Sequence, residues 1–288
     1  VGLWGGIERE EVDGVLVKLV ELVGRFAEVK MCGVKEGLEE LLEGRAEVLG
    51  IETDDVWCRD HGATFVREGD ELVAVDWLYN GWGGKFEHGK DARVADVMAE
   101  VLGVRRVGAE LVCEGGAVES NGAGVVMTTE SVLLNRNRNG GWSKAGVERG
   151  LGELLGAERV VWLERGLVND DTDGHIDMVA RFVSEMKVLM VEGVEGRGVI
   201  EGAGFEVEML PGPVEVAEGV EGSYANFLIV NGGVIVPQFG RADDERALEV
   251  LEGCFPEKEV VGFDCSVVGL EGGGVHCLTQ GQWDLGAS

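Results

Sequence analysis

The stretch EGGGVHCLTQ, residues 271–280, places Gly272, Gly273 and Gly274 just ahead of Cys277. An ionised thiol is a strong nucleophile, and glycine in a strand is kept where a ligand or another backbone must come close. Cys277 is therefore expected to face a bound molecule. A second stretch, GHID, holds His175 and Asp177 two positions apart. On a strand that spacing puts both side chains on one face, so an imidazole and a carboxylate reach the same pocket. The same alternation sets His276 and Cys277 on opposite faces. These residue types also fit another chemistry, the H-x-D…H triad of an Fe(II) oxygenase, with His175, Asp177 and the distant His276 as ligands. That reading gives Cys277, Asp60 and Glu114 no role.

The elements that must position these groups belong to a chain of 288 residues, 45% hydrophobic, long enough to bury a sizeable core. A net charge of -29 with no cluster of Lys and Arg argues against nucleic acid and membrane surfaces as partners, and favours a small cation. The six cysteines lack CxxC spacing, which suits reduced thiols rather than a zinc site or a disulfide framework. No apolar run approaches the length of a membrane span, and the opening VGLWGGIEREEVDG does not read as a secretion signal. A soluble, cytoplasmic protein is the expectation.

Apolar residues at helical spacing predict helices over residues 12–23 and 94–102. Capping signals add helices over 143–155, with Ser143 as N-cap, and 243–253. Hairpins are expected where ATFV and LVAVDWL flank EGD, where LIV and VIVP flank NGG, and around SNGAG. Hairpins mixed with helices, and no GxGxxG between strand and helix, disfavour a Rossmann fold. Five stretches concentrate polar and glycine residues at strand ends: WCRD, EGG, GHID, SYANF and GGGVHC. Their markers Asp60, Glu114, His175, Tyr224 and Cys277 stand 54, 61, 49 and 53 residues apart. Each interval has room for one strand, strand, helix, strand unit, and near-equal units presenting one strand end apiece suggest a closed ring.

In order from Trp57 to Gln280, the runs DDVWCRD, CEGGAVESNGAGVVMTTESVLLNRNRN, GLVNDDTDGHID, SYANFLIVNGGVIVPQFG and GGGVHCLTQ resemble the agmatine deiminases. These belong to the guanidino-group-modifying superfamily that also holds bacterial peptidylarginine deiminases. The resemblance implies an α/β fold, a five-bladed α/β propeller (pentein) of ββαβ units around a pseudo-fivefold axis. It implies a single catalytic domain over residues 1–288, its third unit shortened around 191–205. The implied activity is hydrolysis of agmatine to N-carbamoylputrescine and ammonia, a step toward putrescine and polyamines, with no metal and no organic cofactor. The implied partner is a small guanidino cation; self-association as a homo-oligomer is left open. Two loop prolines expected by resemblance are replaced by Ala63 and Gly140.

A guanidinium has a pKa of roughly 12.5–13.8 and a carbon made unreactive by delocalisation. Hydrolysing it calls for carboxylates that grip its planar N–H groups, a thiolate that attacks the carbon, and an imidazole that carries protons. By resemblance Asp60 and Asp177 hold the cation, Glu114 partners His175, and Cys277 attacks. His175, from another unit, is a better base for the thiol than the adjacent His276. A bound cation should stabilise the thiolate. The resemblance places Trp57 in the pocket, where its ring suits an alkyl chain or amine. Gly273 and Gly274 would let the main chain approach the substrate.

For the remaining residues, Cys32, Cys113, Cys254 and Cys265 read as small buried hydrophobes and Cys58 as packed inward. Trp82 reads as core or site mouth, Asn226 as a hydrogen-bonding support, and His61 and His88 as surface. Free or peptidyl arginine is the alternative substrate. A non-catalytic amine-binding protein is a further alternative.

Overall fold

Four times along the chain, an antiparallel strand pair is followed by a helix and a third strand that returns parallel to the second. The computed structural model describes Ile7 and residues 9–283, so readings made on the first six residues lie outside the described residues. In the first unit Thr64–Glu68 and Glu71–Leu78 pair across a turn at Gly69 and Asp70. Helix Val94–Leu102 then buries Val94, Ala95, Met98 and Ala99, and Arg105–Val112 returns parallel to the middle strand. The second unit comprises Val118–Ser120, Val125–Thr129, helix Lys144–Leu155 and Arg159–Leu163. Its helix starts where expected: the Ser143 side chain accepts a hydrogen bond from the Gly146 N–H and satisfies an end donor.

The third unit, Ala180–Ser184, Lys187–Val191 and Glu206–Leu210, has a helix of only six residues, Arg197–Gly202. That helix is the shortest of the four units' helices, and the strand order is unchanged. The fourth unit comprises Leu228–Ile229, Gly233–Gln238, helix Asp244–Cys254 and Glu259–Asp264. A further parallel pair, Lys30–Met31 with Glu47–Val48, follows helix Arg9–Val23. Val12, Val15, Leu19, Val20 and Val23 form the buried stripe of that helix, as their spacing requires.

The repeated order has a physical basis: each middle strand is covered on both faces and reads as an apolar run. Val188, Leu189, Met190 and Val191 are completely buried, as are Val234, Ile235 and Val236. Truncating one such leucine to alanine costs about 2–5 kcal/mol.

The strand assignment of the marker stretches needs correction. Cys58–His61 is one turn of helix, and Gly115–Ala117 and Ile176–Met178 are 3-10 turns. The marker residues therefore sit in the connections between strands or, for Cys277, after the last strand, where the backbone is free to bend toward a common point. Among the described residues no helix is long and apolar enough to cross a membrane.

Candidate active site

His175 stands between two carboxylates, with Nδ1 3.7 Å from Asp60 Oδ1 and Nε2 3.7 Å from Glu114 Oε2. Asp60 is held by two donors: the Gly116 N–H reaches Oδ1 at 3.0 Å and the Trp82 Nε1–H reaches Oδ2 at 2.9 Å. Arg138 donates to Glu114 Oε1 at 2.6 Å, a fully buried pair. Glycine is required at position 116, because a Cβ there would lie 2.6 Å from His175 Nδ1 and 2.8 Å from Asp60 Oδ1. It would also lie 3.1 Å from Asp177 Oδ2, so His175, Asp60 and Asp177 converge on one spot.

Cys277 joins them through Asn226, whose Nδ2 donates to Asp177 Oδ2 and to Cys277 Sγ, both at 3.1 Å. Cys277 Sγ is itself 3.6 Å from Asp177 Oδ2. The five groups are thus brought together from three different strand connections and the segment after Val268–Glu271, with Asn226 reaching in from a fourth connection. All are buried, and Cys277 is the most accessible at 6%.

His175 and Asp177 do share a pocket, but not by strand alternation: His175 precedes a 3-10 turn that contains Asp177. The opposite-face argument for His276 and Cys277 is overturned for the same reason. Both lie outside any strand, and His276 Nδ1 meets Asp177 Oδ2 at 2.8 Å, the oxygen that Cys277 also approaches. No group of three or more His, Cys, Asp or Glu among the described residues is arranged to hold a metal ion, so the H-x-D…H reading finds no donor set.

The electrostatics follow from burial among like charges. Burial alone would lower the His175 pKa, but the charges of Asp60 and Glu114 outweigh it and push it up to about 9. Burial, with the charge of Asp60, pushes Asp177 up to about 7 against the pull of His175. Burial opposes ionisation of Glu114 too, yet His175 and Arg138 hold its carboxyl below the usual carboxylate range. The Cys277 thiol is pushed well up by burial, Asp177 and Asp60, while Asn226 pulls the other way. His276, buried near Arg181 and Arg59, is held well below its ordinary value and stays neutral.

Buried polar atoms almost always find hydrogen-bond partners, so exceptions are informative. Within the protein, both ring nitrogens of His175, Glu114 Oε2 and Asp177 Oδ1 have none. Of these, Glu114 Oε2 and Asp177 Oδ1 are acceptors that suit a planar N–H donor carrying positive charge, whereas the protonated His175 ring offers donors.

The sequence model of the Porphyromonas-type peptidyl-arginine deiminase family matches residues 3–198 and 198–282. The chain belongs to this family. An agmatine deiminase of Pseudomonas aeruginosa is 34% identical, the alignment covering 92% of this chain and 85% of that protein. The solved agmatine deiminase of C. jejuni with substrate bound superposes with a TM-score of 0.87 at 29% identity, covering 93% of this chain and 86% of that one. The agmatine deiminase of Enterococcus faecalis superposes at 0.86, also at 29% identity, covering 94% and 87%.

Within this family member, the glycines ahead of Cys277 make close approaches to side chains. A Cβ on Gly273 would run into the Trp57 indole, and one on Gly274 would lie 2.8 Å from Asn226 Oδ1. Tyr224 marks its stretch but points elsewhere, donating its hydroxyl to Asp244; Asn226, two residues on, is the one that reaches the site. Arg138 escaped the sequence reading, although an arginine inside NRNRN beside apolar residues was the available signal. His61 is no surface residue: it is 2% exposed and packs edge-on to Tyr79, because the helical turn that presents Asp60 rotates its neighbour inward. Cys113 and Cys265 are buried as expected, whereas Cys32, Cys58 and Cys254 are half-buried.

Proposed function

We propose that the chain is an agmatine deiminase, converting agmatine and water to N-carbamoylputrescine and ammonia through a covalent intermediate on Cys277. The observation that carries this reading is the unpartnered acceptor Asp177 Oδ1 on the carboxylate that Cys277 Sγ approaches at 3.6 Å, with Asp177 and His175 meeting Asp60 beside Gly116. Asp60 and Asp177 grip the guanidinium in charge-assisted hydrogen bonds and hold its carbon near Sγ. The arriving positive charge offsets the acids that keep the thiol protonated, the Sγ proton is released to solvent, and the thiolate attacks the carbon. Protonated His175 gives its proton to the departing nitrogen, which leaves as ammonia, so an amidino-thioether remains. Neutral His175 then takes a proton from water as its oxygen adds to the carbon. Collapse of that adduct breaks the C–S bond and frees the ureido product. Glu114, anchored by Arg138, keeps the imidazole in place.

In this reading agmatine is favoured over arginine by three acids that precede site residues in the chain: Glu271 before Gly273, Asp55 before Trp57 and Asp171 before His175. Burial and the nearby carboxylates of Asp55 and Asp171 raise the pKa of Glu271. Together these acids attract a terminal ammonium and repel a carboxylate. The ring of Trp57 suits the intervening alkyl chain. We further infer one catalytic domain whose four repeated units and N-terminal strand pair are arranged as a five-bladed propeller. The four sheets of common strand order support that arrangement.

The deciding experiment incubates purified protein separately with agmatine and with arginine, and scores ammonia and ureido product. Ammonia release from agmatine and a mass increase on Cys277 from a haloacetamidine are expected. Turnover of neither compound sinks the reading.

A further inference from the structure

Beyond the five groups already placed, one short loop touches the supports of both carboxylates that flank His175. Its sequence is NGWGGK, residues 80–85. Trp82 has φ 53° and ψ 47°, a left-handed conformation that a bulky residue rarely adopts. Glycines on either side, Gly81 at φ 64° and Gly83 at φ 86°, bend the chain so that the indole turns inward. There Nε1 donates to Asp60 Oδ2 in a fully buried contact. The ring is fixed by edge-on packing against Tyr79 and Phe86, each with a centroid distance of 5.5 Å.

The other end of the loop rests on the turn Arg136–Asn139. Asn80 Oδ1 accepts the Gly83 N–H at 2.8 Å, and its Nδ2 donates to the Asn137 carbonyl at 2.8 Å. A Cβ on Gly83 would run into the side chains of Asn137 and Arg138. Arg138 is the residue that holds Glu114, and it also donates to Asp173, which Lys85 contacts from the loop itself.

We propose that Trp82 is a positioning residue for Asp60, and that the strained loop around it sets the two carboxylates beside His175 at a fixed separation. This inference rests on the deiminase reading. Asp60 accepts from Trp82 and from Gly116, two donors in separate connections, which together fix the carboxylate plane. Without the indole N–H the carboxylate rotates, and its grip on a planar cation loosens. The local strain persists because that hydrogen bond and the ring packing over-determine the conformation.

The test uses the full chain and compares wild type with Trp82→Phe, which keeps an aromatic ring and removes the donor. One charge-assisted hydrogen bond lost should raise the KM for agmatine roughly tenfold or more. The fraction of Cys277 titrated by a haloacetamidine should stay near that of wild type. Phe86→Ala, which removes one of the two ring contacts and leaves the N–H and the Tyr79 contact, should raise KM by much less than Trp82→Phe does. A Trp82→Phe protein with wild-type KM, or a KM shift matched by Phe86→Ala, overturns the proposal. Should Trp82→Phe fail to fold, Gly83→Ala tests the same loop from the Arg138 side, and an unchanged KM there overturns it equally. A wild-type protein that releases no ammonia overturns this inference together with the functional reading, whereas an active wild type with an insensitive Trp82→Phe overturns the inference alone.

Discussion

Asn226 and Cys277 are joined twice: the Asn226 side-chain amide donates to Sγ at 3.1 Å, and its carbonyl oxygen accepts the Cys277 main-chain N–H at 3.2 Å. The thiol is therefore fixed in position and orientation by one residue from a separate connection. Asn226→Ala should lower kcat about 10- to 100-fold, the effect of losing one preorganised donor. Because that donor favours the thiolate, the pH dependence of Cys277 alkylation should move to higher pH. An alkylation profile that does not move would remove Asn226 from the chemistry.

The pH dependence of kcat/KM has a predictable sign. If Asp177 holds the cation as proposed, it must be ionised, so activity should fall on the acid side near its value of about 7. In the proposed mechanism protonated His175 is the acid for ammonia loss, so activity should fall on the basic side near about 9. The product is a narrow bell between those limits. Stability follows by linkage. Both groups have folded-state values above their ordinary ones, so the folded state binds more protons. For His175 the contribution is complete below its ordinary value of 6.5 and is lost as pH rises through about 9. For Asp177 it is complete below 3.8 and lost through about 7. Thermal unfolding should accordingly show Tm falling from pH 6 to pH 9, and a Tm that rises over that range contradicts the assignment.

Gly116→Ala tests convergence without deleting any functional group. The added Cβ falls 2.6 Å from His175 Nδ1 and 2.8 Å from Asp60 Oδ1, closer than contact allows. Turnover should fall by about 10²-fold or more, as expected when reacting groups are displaced by about an ångström. Wild-type turnover in this variant would show that the three side chains do not need to meet there.

Arg138→Met probes the anchor of Glu114. Both side chains are fully buried, and removing one partner of such a pair costs about 3–5 kcal/mol. Urea unfolding should show a lower midpoint, and the double variant Arg138→Met, Glu114→Gln should recover part of the loss. Equal midpoints for wild type and Arg138→Met would mean that the pair does not stabilise the fold.

Much of the fold was legible because its signals are local. The Ser143 cap, the apolar stripe of Arg9–Val23 and the hairpin turns each depend on residues within a few positions of one another. Misreadings arose where strand alternation was carried into the connections. His276 and Cys277 were assigned to opposite faces, yet both reach Asp177, because turns do not keep a two-residue period. His61 was read as surface for want of any local signal that its turn faces the interior.

By itself the sequence determined which chemical groups the chain owns, their order, and the near-equal spacing that builds four units of one kind. Only the tertiary structure decided which atoms meet: that Asn226 binds Cys277, that Trp82 and Gly116 share Asp60, and that Arg138 holds Glu114. The reason is physical. Spacing along a chain constrains neighbours through bond geometry, whereas contacts between connections dozens of residues apart exist only after the sheets have packed and excluded water from between them.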